Sequence, residues 1–317
     1  MTNLNVFSLF SGIGGTCLAF KNAGFNILVA NEIDKECFKT YEINFKDSDQ
    51  YLLKGCIKEE LPNIKKYKAD VLVAGFPCQS FSQAGNRLGM KDEERGGLIN
   101  YVFDIIESCE VKYVLLENVK GLISSNNGKD FQYITSKLNS MGFNISYELL
   151  NSYKLGFTRQ MRERVYIVAT KGFKFDFKNI ENEKEIIDID FSLDIPEFEY
   201  TKEKYPIYFS DKINLDKIKT GKFYHIRRIY LRELDNCPTL TANMGTGGHN
   251  VPIIKTTSGK IRKLSPRECF NLMGFPKDFK LPEIANCHLY KQAGNSVIVP
   301  LVQKIASSLY SQIKENR

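Results

Sequence analysis

Residues 70–80 read Asp-Val-Leu-Val-Ala-Gly-Phe-Pro-Cys-Gln-Ser, and this stretch decides the fold. Residues 70–76 form a short apolar run, which predicts a buried parallel strand. Cys78 follows at the carboxyl end of that strand, where open α/β sheets bind their ligands. Pro77 restricts the backbone in front of the thiol and so helps to aim it. Most free cysteines are small buried apolar residues, so position alone does not distinguish a reactive thiol from a structural one.

Hydrophobic periodicity in the first half of the chain alternates between strands and helices. Strands are predicted at residues 6–10, 26–30, 70–75, 112–116, 147–151 and 165–170, and helices at 17–23, 37–45, 98–109 and 130–141. This alternation predicts a mostly parallel sheet with helices on both faces. Residues 171–260 are polar and irregular, which predicts a second domain. Beyond them, a capping box of Ser265 and Glu268 predicts a helix from Pro266 to Met273.

Composition sets the broad class of the protein. The chain has 317 residues, of which 43% are hydrophobic, enough to bury the core of one large domain and a smaller one. It shows neither a signal peptide nor an apolar run of about 20 residues, so we expect a soluble cytoplasmic protein without membrane contact. Its eight cysteines form no C-x-x-C pair and it has three histidines, so we expect free thiols and no metal site. The net charge of +7 and the basic run at 212–232, which contains Tyr224 and Tyr230, fit a nucleic-acid surface, although such runs are more often solvated faces.

Two features suggest a nucleoside site at the start of the sheet. Residues 10–15, Phe-Ser-Gly-Ile-Gly-Gly, form a glycine-rich turn after the first predicted strand. Their G-x-G-G spacing departs from the G-x-G-x-x-G of dinucleotide sites, which favours a different nucleoside cofactor. Glu32 ends the second predicted strand, where an acid accepts hydrogen bonds from ribose hydroxyls. A plain tight turn and a solvated carboxylate are the alternatives, and the two features together favour the nucleoside.

Further polar residues follow later strands. Glu117 lies at the end of the strand predicted at 112–116, so Cys78 and Glu117 converge if the two strands are parallel neighbours. A thiol and a carboxyl group form a workable site for covalent catalysis. Residues 159–164, Arg-Gln-Met-Arg-Glu-Arg, offer guanidinium groups that hold a carboxylate or a carbonyl oxygen, although alone they are typical of a surface ion-pair cluster. Residues 290–297 either cap a helix or return to line the pocket.

Taken in order, these motifs resemble the DNA (cytosine-5)-methyltransferases of bacterial restriction-modification systems. The matching stretches are Phe-Ser-Gly-Ile-Gly-Gly at 10–15, Asn-Glu-Ile-Asp at 31–34, Gly-Phe-Pro-Cys-Gln at 75–79, Arg-Gly-Gly-Leu at 95–98, Glu-Asn-Val at 117–119, Gln-Met-Arg-Glu-Arg at 160–164, Leu-Ser-Pro-Arg-Glu-Cys at 264–269 and Gly-Asn-Ser-Val at 294–297. Each motif is short, but all eight occur in the family's order.

The resemblance implies a fold, a cofactor and a division into domains. The fold is α/β, with a Rossmann-like S-adenosylmethionine-dependent methyltransferase sheet and a second, smaller, irregular target-recognition domain. Residues 1–170 would form the catalytic and cofactor-binding domain, completed by 285–317, and residues 171–284 would form the target-recognition domain. S-adenosyl-L-methionine would be the methyl donor and S-adenosyl-L-homocysteine the product.

The resemblance also implies a mechanism and its residues. A cytosine flipped out of duplex DNA is attacked at C6 by the thiolate of Cys78, while Glu117 binds N3 and the exocyclic amine and Arg164 holds O2. C5 then accepts the methyl group, and loss of the C5 proton and of Cys78 gives 5-methylcytosine. The implied catalytic residues are Cys78, Glu117, Arg162 and Arg164. The implied cofactor residues are Phe10, Gly12, Gly14, Gly15, Glu32, Ile33, Ile57, Gly75, Pro77, Leu98, Asn295, Ser296 and Val297. The candidate DNA contacts are Ser82, Arg87, Arg227, Arg228, Arg232, Thr241, Gly245 and Gly247.

One departure from the family concerns the adenine. The family usually has an aspartate that reads the adenine amine where this chain has Cys56, so either cofactor affinity is weaker or Glu59 or Glu60 replaces that aspartate. We expect a monomer that acts on double-stranded DNA, whose cognate restriction endonuclease acts on the same site without having to bind the protein.

Other functions compete with this interpretation. A catalytically silent DNA-binding regulator conflicts with the intact Cys78, Glu117 and Arg164. An RNA cytosine methyltransferase would carry a late Cys-Phe-Thr tripeptide, and an amino-group methyltransferase would carry a Pro-Pro-aromatic turn. A dehydrogenase conflicts with the glycine spacing.

Overall fold

A computed structural model describes residues 4–46, 51–77, 97–182, 185–210, 213–227, 230–246 and 250–317. The chain folds into two compact units, each built from separate stretches of sequence. The first unit comprises Met1–Asn151, Glu163–Glu181 and Val299–Arg317, and the second comprises Ser152–Arg162 and Asn182–Ile298. The boundaries expected from the sequence differ, since they assigned 152–162 and 285–298 to the first domain and 171–181 to the second. The target-recognition role of the second unit stays a prediction.

The first unit is organised around a mostly parallel sheet, as the sequence predicted. Its described strands are β1 (Asn5–Leu9), β2 (Asn26–Glu32), β3 (Tyr51–Lys54), β4 (Val71–Ala74), β5 (Tyr113–Val119), β6 (Asn144–Asn151) and β8 (Glu163–Thr170). The spatial order is β3-β2-β1-β4-β5-β8-β6. Strands β1 to β5 pair in parallel, and β8 pairs antiparallel with both β5 and β6.

The order of the strands creates a crevice at one edge of the sheet. From β1 the chain goes first to β2 on one side, and later to β4 on the other side. Ligands bind outside the carboxyl ends of the strands at such a switch point. Every residue of β4 is buried, which explains the continuous apolar run of residues 71–74. The turns that follow β1 and β4 therefore border the crevice.

The helices of the first unit lie between its strands and at the end of the chain. They are α1 (Gly15–Asn22), α2 (Lys35–Phe45), α3 (Ile57–Ile64), α4 (Leu98–Ser108), α5 (Gly121–Ser124), α6 (Lys129–Ser140) and α9 (Val299–Glu315). The sequence prediction missed β3 and α3. Strand β3 is an edge strand with exposed ends, and α3 is short and contains Pro62, so neither has a clear hydrophobic period.

The second unit has two small sheets and two helices among its described residues. Its strands are β7 (Gln160–Met161), β9 (Phe223–Arg227), β10 (Tyr230–Leu234), β11 (Cys237–Pro238), β12 (Ile253–Lys255) and β13 (Ile261–Lys263), and its helices are α7 (Pro266–Leu272) and α8 (Asn286–Asn295). One sheet has the order β10-β9-β12-β13, and β11 pairs with β7 in the other. Helix α8 packs on α7, which explains why residues 286–295 belong to this unit.

The capping box predicted at the start of α7 is confirmed and belongs to a larger buried network. The hydroxyl of Ser265 accepts from the Glu268 amide, and the Glu268 carboxylate accepts from the Ser265 amide. Both Glu268 oxygens also accept from Arg262, at 2.8 Å each. Across the described residues, no helix combines the length and the apolar character needed to cross a membrane.

Candidate active site

Polar side chains gather at the carboxyl edge of the first unit's sheet. Glu32 ends β2, Gly75 directly follows β4, and Glu117 lies near the end of β5. Because these strands are parallel neighbours through β1, their ends meet at one edge of the sheet. The sequence predicted that the end of the strand at Gly75 lies near Glu117 if the two strands are parallel neighbours. Strands β4 and β5 are parallel neighbours, so both residues lie at the same edge.

Glu117 and Arg164 form a partly buried ion pair. The antiparallel register of β5 and β8 sets Val119 opposite Arg164, and Arg164 Nε lies 3.1 Å from Glu117 Oε1. The side chains of Arg164 and Glu117 are only 15% and 14% exposed. Arg164 Nη1 also donates to the carbonyl of Glu163 at 2.7 Å, so the guanidinium is held at two points. Glu117 Oε2 and Arg164 Nη2 make no hydrogen bond to the described residues.

Gly75 leaves room for the Glu117 carboxylate. A Cβ atom at residue 75 would lie 3.5 Å from Glu117 Oε2, in van der Waals contact with the free oxygen. A larger side chain there would occupy the space in front of the carboxylate. Glycine at this position therefore keeps the Oε2 side of Glu117 open.

Asn118 fixes the backbone that leads to Pro77. It is buried, its Nδ2 donates to the carbonyl of Phe76 at 3.1 Å, and its Oδ1 accepts from the Val119 amide at 2.9 Å. Asn118 lies within the Glu-Asn-Val motif, which by itself predicts no role for this residue. A polar residue at a buried position of a central strand was the signal. Pro77 is the last residue before the gap, and Cys78, Ser82 and Arg87 lie outside the described residues.

The glycine-rich turn is bonded to Glu32. The Gly12 amide donates to Glu32 Oε2 at 2.7 Å, and the amides of Ile33 and Asp34 donate to Oε1 at 2.8 Å each. Phe10 and Gly12 have φ values of +55° and +56°, a region that favours glycine and strains phenylalanine. A carboxylate has about four acceptor positions, so Glu32 retains capacity for a hydroxyl donor.

The residues around Glu32 fit a nucleoside. A Cβ atom on Gly12 would meet nothing within 4 Å, so this glycine borders open space. Gly14 differs, because a Cβ atom there would overlap the ring of Phe45. Ile33 is 63% exposed directly beside the carboxylate and offers an apolar surface to a base. An acceptor for ribose hydroxyls and an apolar platform thus lie side by side.

The turn between β3 and α3 continues this edge. The Gly55 amide donates to the carbonyl of Glu32 at 2.9 Å, and the side-chain Nδ2 of Asn31 donates to the carbonyl of Gly55 at 3.1 Å. Cys56 is the partly exposed N-cap residue of α3, and its side chain makes no capping bond. The carboxylate of Glu60 folds back over this turn, with Oε1 3.0 Å from the position of a Cβ atom on Gly55. Asn63 donates to Glu60 Oε2 at 2.8 Å, and Oε1 has no partner among the described residues.

The remaining cofactor candidates have different surroundings. Gly15 begins α1 and is buried. The Ile57 side chain is buried in the hydrophobic core, and Leu98, which begins α4, packs against the same core. Asn295, Ser296 and Val297 belong to the second unit, where Asn295 is exposed at the end of α8.

Arg162 is surrounded by main chain. It is 3% exposed, and its Nη1 donates to the carbonyl of Leu240 at 3.0 Å. Its Nη2 donates to the carbonyls of Gly294 and Ser296, at 3.1 Å and 2.7 Å. The catalytic role that the resemblance implies for Arg162 stays a prediction, and its contacts join main-chain segments of the second unit.

The candidate DNA contacts divide into packed and exposed residues. A Cβ atom on Gly245 would lie 2.6 Å from the ring of Tyr290, so the chain here packs closely on α8. Thr241 also approaches α8, where a Cβ atom on Gly294 would overlap its main chain. Arg232 lies exposed on β10 and forms no ion pair with the described residues. Arg227 ends β9, while its side chain, Arg228 and Gly247 lie outside the described residues.

The cysteines of the described segments are free thiols in mostly buried positions. Burial raises the pKa of the Cys17 thiol, and it raises the pKa values of Cys237 and Cys269 well above the usual range. A thiol that stays protonated and buried is a poor nucleophile. Within the described segments, no group of three or more His, Cys, Asp or Glu side chains has a metal-binding arrangement.

Comparison with known proteins identifies the family. The profile of a family described as C-5 cytosine-specific DNA methylase matches residues 4–311. The type II methyltransferase M.Bsp6I of Bacillus sp. (strain RFL6) is 43% identical over 325 residues, which cover 98% of this chain and 99% of that protein. The type II methyltransferase M.HhaI of Haemophilus parahaemolyticus is 32% identical over 333 residues, covering 99% and 96%.

Solved structures agree in fold. A mutant of DNMT2 from Spodoptera frugiperda matches with a TM-score of 0.72 at 21% identity, covering 97% of this chain and 100% of that one. The Dnmt2 methyltransferase of S. pombe matches with a TM-score of 0.73 at 18% identity, covering 98% and 99%. The solved structures show the fold alone, whereas the family profile and the near-full-length relatives also show the family. The chain belongs to the C-5 cytosine-specific DNA methylase family and is a DNA (cytosine-5)-methyltransferase.

Proposed function

We propose that this protein methylates C5 of a cytosine rotated out of duplex DNA, through a transient bond between Cys78 and C6. We further propose that it is the modification enzyme of a restriction-modification system, because its near-full-length relatives are named type II methyltransferases. The observation that carries the mechanism is the Glu117–Arg164 pair, which leaves one carboxylate oxygen and one guanidinium nitrogen without a hydrogen bond among the described residues.

The chemistry explains why such a pair is needed. C5 of neutral cytosine is a weak nucleophile, and addition of the Cys78 thiolate at C6 moves electron density toward C5 and N3. A proton on Glu117 Oε2 passes to N3 as the C6–S bond forms, and the exocyclic amine donates to the same carboxyl group. Arg164 Nη2 donates to O2 of the base. After methylation, a water molecule takes the C5 proton, the C6–S bond breaks to release the Cys78 thiolate, and N3 returns its proton to Glu117, which restores the aromatic ring.

The residues of the first unit would hold S-adenosyl-L-methionine, which supplies a methyl group on a sulfonium centre and leaves as S-adenosyl-L-homocysteine. Glu32 accepts hydrogen bonds from the ribose hydroxyls, and Ile33 packs against the adenine. Glu60 accepts from the adenine amine, a role that the thiol of Cys56 fills poorly because sulfur is a weak acceptor. This assignment is supported by the free Oε1 of Glu60 above Gly55.

Duplex DNA is the proposed partner of the second unit. Arg232 is an exposed cation without an acidic partner among the described residues, and the chain carries a net charge of +7. Such groups bind phosphate oxygens or guanine edges. We propose that the protein acts in the bacterial cytoplasm, because its relatives are bacterial methyltransferases, and that it acts as a monomer.

Trapping with 5-fluorocytosine tests the covalent step. Fluorine at C5 blocks the final elimination, so DNA containing this base, incubated with S-adenosylmethionine, should give a protein–DNA adduct that survives denaturation. The Cys78→Ser variant should give no adduct, and the matched Cys56→Ser variant should give the wild-type amount. If wild-type protein gives no adduct on DNA covering many sequence contexts, the proposed function is refuted. Bisulfite sequencing of DNA from expressing cells then identifies the target site.

A further inference from the structure

Arg159 makes an unusual set of contacts within the second unit. Its Nη1 lies 2.7 Å from Asp188 Oδ2, and its Nη2 donates to the carbonyls of Gly221 and Asp235, at 2.8 Å and 2.9 Å. Its guanidinium also lies over the rings of Phe191 and Phe223, 5.6 Å and 5.2 Å from their centroids. One side chain thus binds two carbonyls, a carboxylate and two aromatic rings.

The two carbonyls belong to the two ends of one hairpin. Gly221 precedes β9, and Asp235 follows β10 directly. Phe223 is the first residue of β9, so the ring contact lies at the same end. Arg159 therefore ties the base of the β9–β10 hairpin together and joins it to the chain that enters β7.

Beyond Phe223, which is buried beside Arg159, the two faces of this hairpin differ in character. Tyr224, Ile226 and Leu231 pack in the hydrophobic cluster of the unit. Because side chains alternate along a strand, Tyr230 and Arg232 lie on the opposite face. Tyr230 is 69% exposed, and Arg232 is exposed without an ion pair to the described residues. An exposed tyrosine beside an unpaired arginine suits the phosphates and base edges of DNA.

We propose that Arg159 is a positioning residue for DNA recognition, which holds the hairpin so that Tyr230 and Arg232 face the duplex. This inference rests on the proposed function and deepens it. Arg159 acts through Arg232, since its own guanidinium is bound to protein groups. Lysine cannot replace it fully, because an ammonium group has no planar fork to span both carbonyls while stacking on the rings.

A double-mutant cycle tests this route of action. The variants are Arg159→Lys, Arg232→Gln and the combination of both, assayed by filter binding to labelled unmethylated plasmid fragments and by initial rates of methyl transfer to the same plasmid. Each single variant should raise the dissociation constant and the KM for DNA about tenfold, the loss of one arginine contact to DNA. The double variant should also bind DNA only about tenfold more weakly than wild-type protein, because both changes remove the same contact. The kcat and the affinity for S-adenosylhomocysteine should stay within about twofold, a split that general loss of structure would not produce.

A matched control lies at the same end of the hairpin. Lys222 pairs with the side chain of Asp235, whereas Arg159 binds its carbonyl. Lys222→Gln should leave DNA binding and its coupling to Arg232 unchanged. If Arg159→Lys fails to fold, Asp188→Asn takes its place in the cycle, because it loosens Arg159 without removing it.

Three results would overturn the inference. The first is an additive effect, in which the double variant binds DNA about a hundredfold more weakly than wild-type protein. The second is wild-type DNA affinity in a folded Arg159→Lys variant. The third is a loss of DNA affinity in Lys222→Gln equal to that in Arg159→Lys. Failure of the proposed function is a separate result, since wild-type protein would then transfer no methyl group to the plasmid while the binding cycle still reports on Arg159.

Discussion

The carboxyl edge of the first unit and the interior of the second unit use arginine in opposite ways. At the edge, Arg164 pairs with Glu117 and retains a nitrogen without a hydrogen bond among the described residues. In the second unit, Arg162 binds three main-chain carbonyls, and Arg159 binds two. These arginines occur within six residues of sequence. We expect Arg164 to meet a ligand and Arg162 and Arg159 to hold main chain in place, although all three residues are arginines.

The largest effect is expected from a substitution of Glu117 at the carboxyl edge of the first unit's sheet. Glu117→Gln should lower the turnover of methyl transfer about 10²- to 10⁴-fold, because an amide cannot pass a proton to N3. Binding of S-adenosylhomocysteine, measured by calorimetry, should change by less than about twofold. Glu163, which precedes Arg164 in the sequence, provides the control. Its side chain pairs only with the exposed Lys120 among the described residues, so Glu163→Gln should retain turnover. Equal losses of binding and turnover in Glu117→Gln would contradict its role.

The second prediction compares the two arginines directly. Arg162→Met leaves three buried carbonyls without their donor, so it should lower the free energy of unfolding by about 2–4 kcal/mol. Arg164→Met breaks one partly buried pair and should cost less stability, but it should lower turnover more. Urea unfolding and methyl-transfer rates at a temperature where both variants are folded measure the two effects. Arg164→Met destabilising as strongly as Arg162→Met would remove the distinction between the two regions.

The smallest expected effect concerns Glu60, the proposed acceptor for the adenine amine. Glu60→Ala should weaken binding of S-adenosylhomocysteine about tenfold, because the adenine amine loses its acceptor. Wild-type protein should bind S-inosylhomocysteine, which lacks that amine, about tenfold more weakly, and Glu60→Ala should remove most of this preference. Glu59→Ala is the matched control, since Glu59 lies one residue away and is exposed. If Glu60→Ala still prefers S-adenosylhomocysteine over S-inosylhomocysteine by about tenfold, a residue other than Glu60 accepts from the adenine amine.

The same contrast explains what the sequence could predict. Strands buried on both faces form continuous apolar runs, so β1, β2, β4 and β5 were found, and the polar residues after them indicated the edge site. Strand β3 was missed because it is only four residues long and exposed at both ends, so it has no such run. The contacts of Arg162 left no pattern at all, because its partners Leu240 and Ser296 lie 78 and 134 residues away. Periodicity reports local burial, whereas a buried arginine that binds distant carbonyls is defined only by the folded chain.

The packing of α9 on α1 has a consequence for how the protein is made. Helix α1 follows the glycine-rich turn, and its neighbours are Gln303, which bonds to Asn22, and Tyr310, whose ring lies 5.1 Å from that of Phe25. Contacts this distant in sequence form late. On the ribosome, the glycine-rich turn therefore lacks this support until the residues of α9 have been synthesised. Nascent chains interrupted before α9 would carry every motif described above and still lack the helix that supports α1.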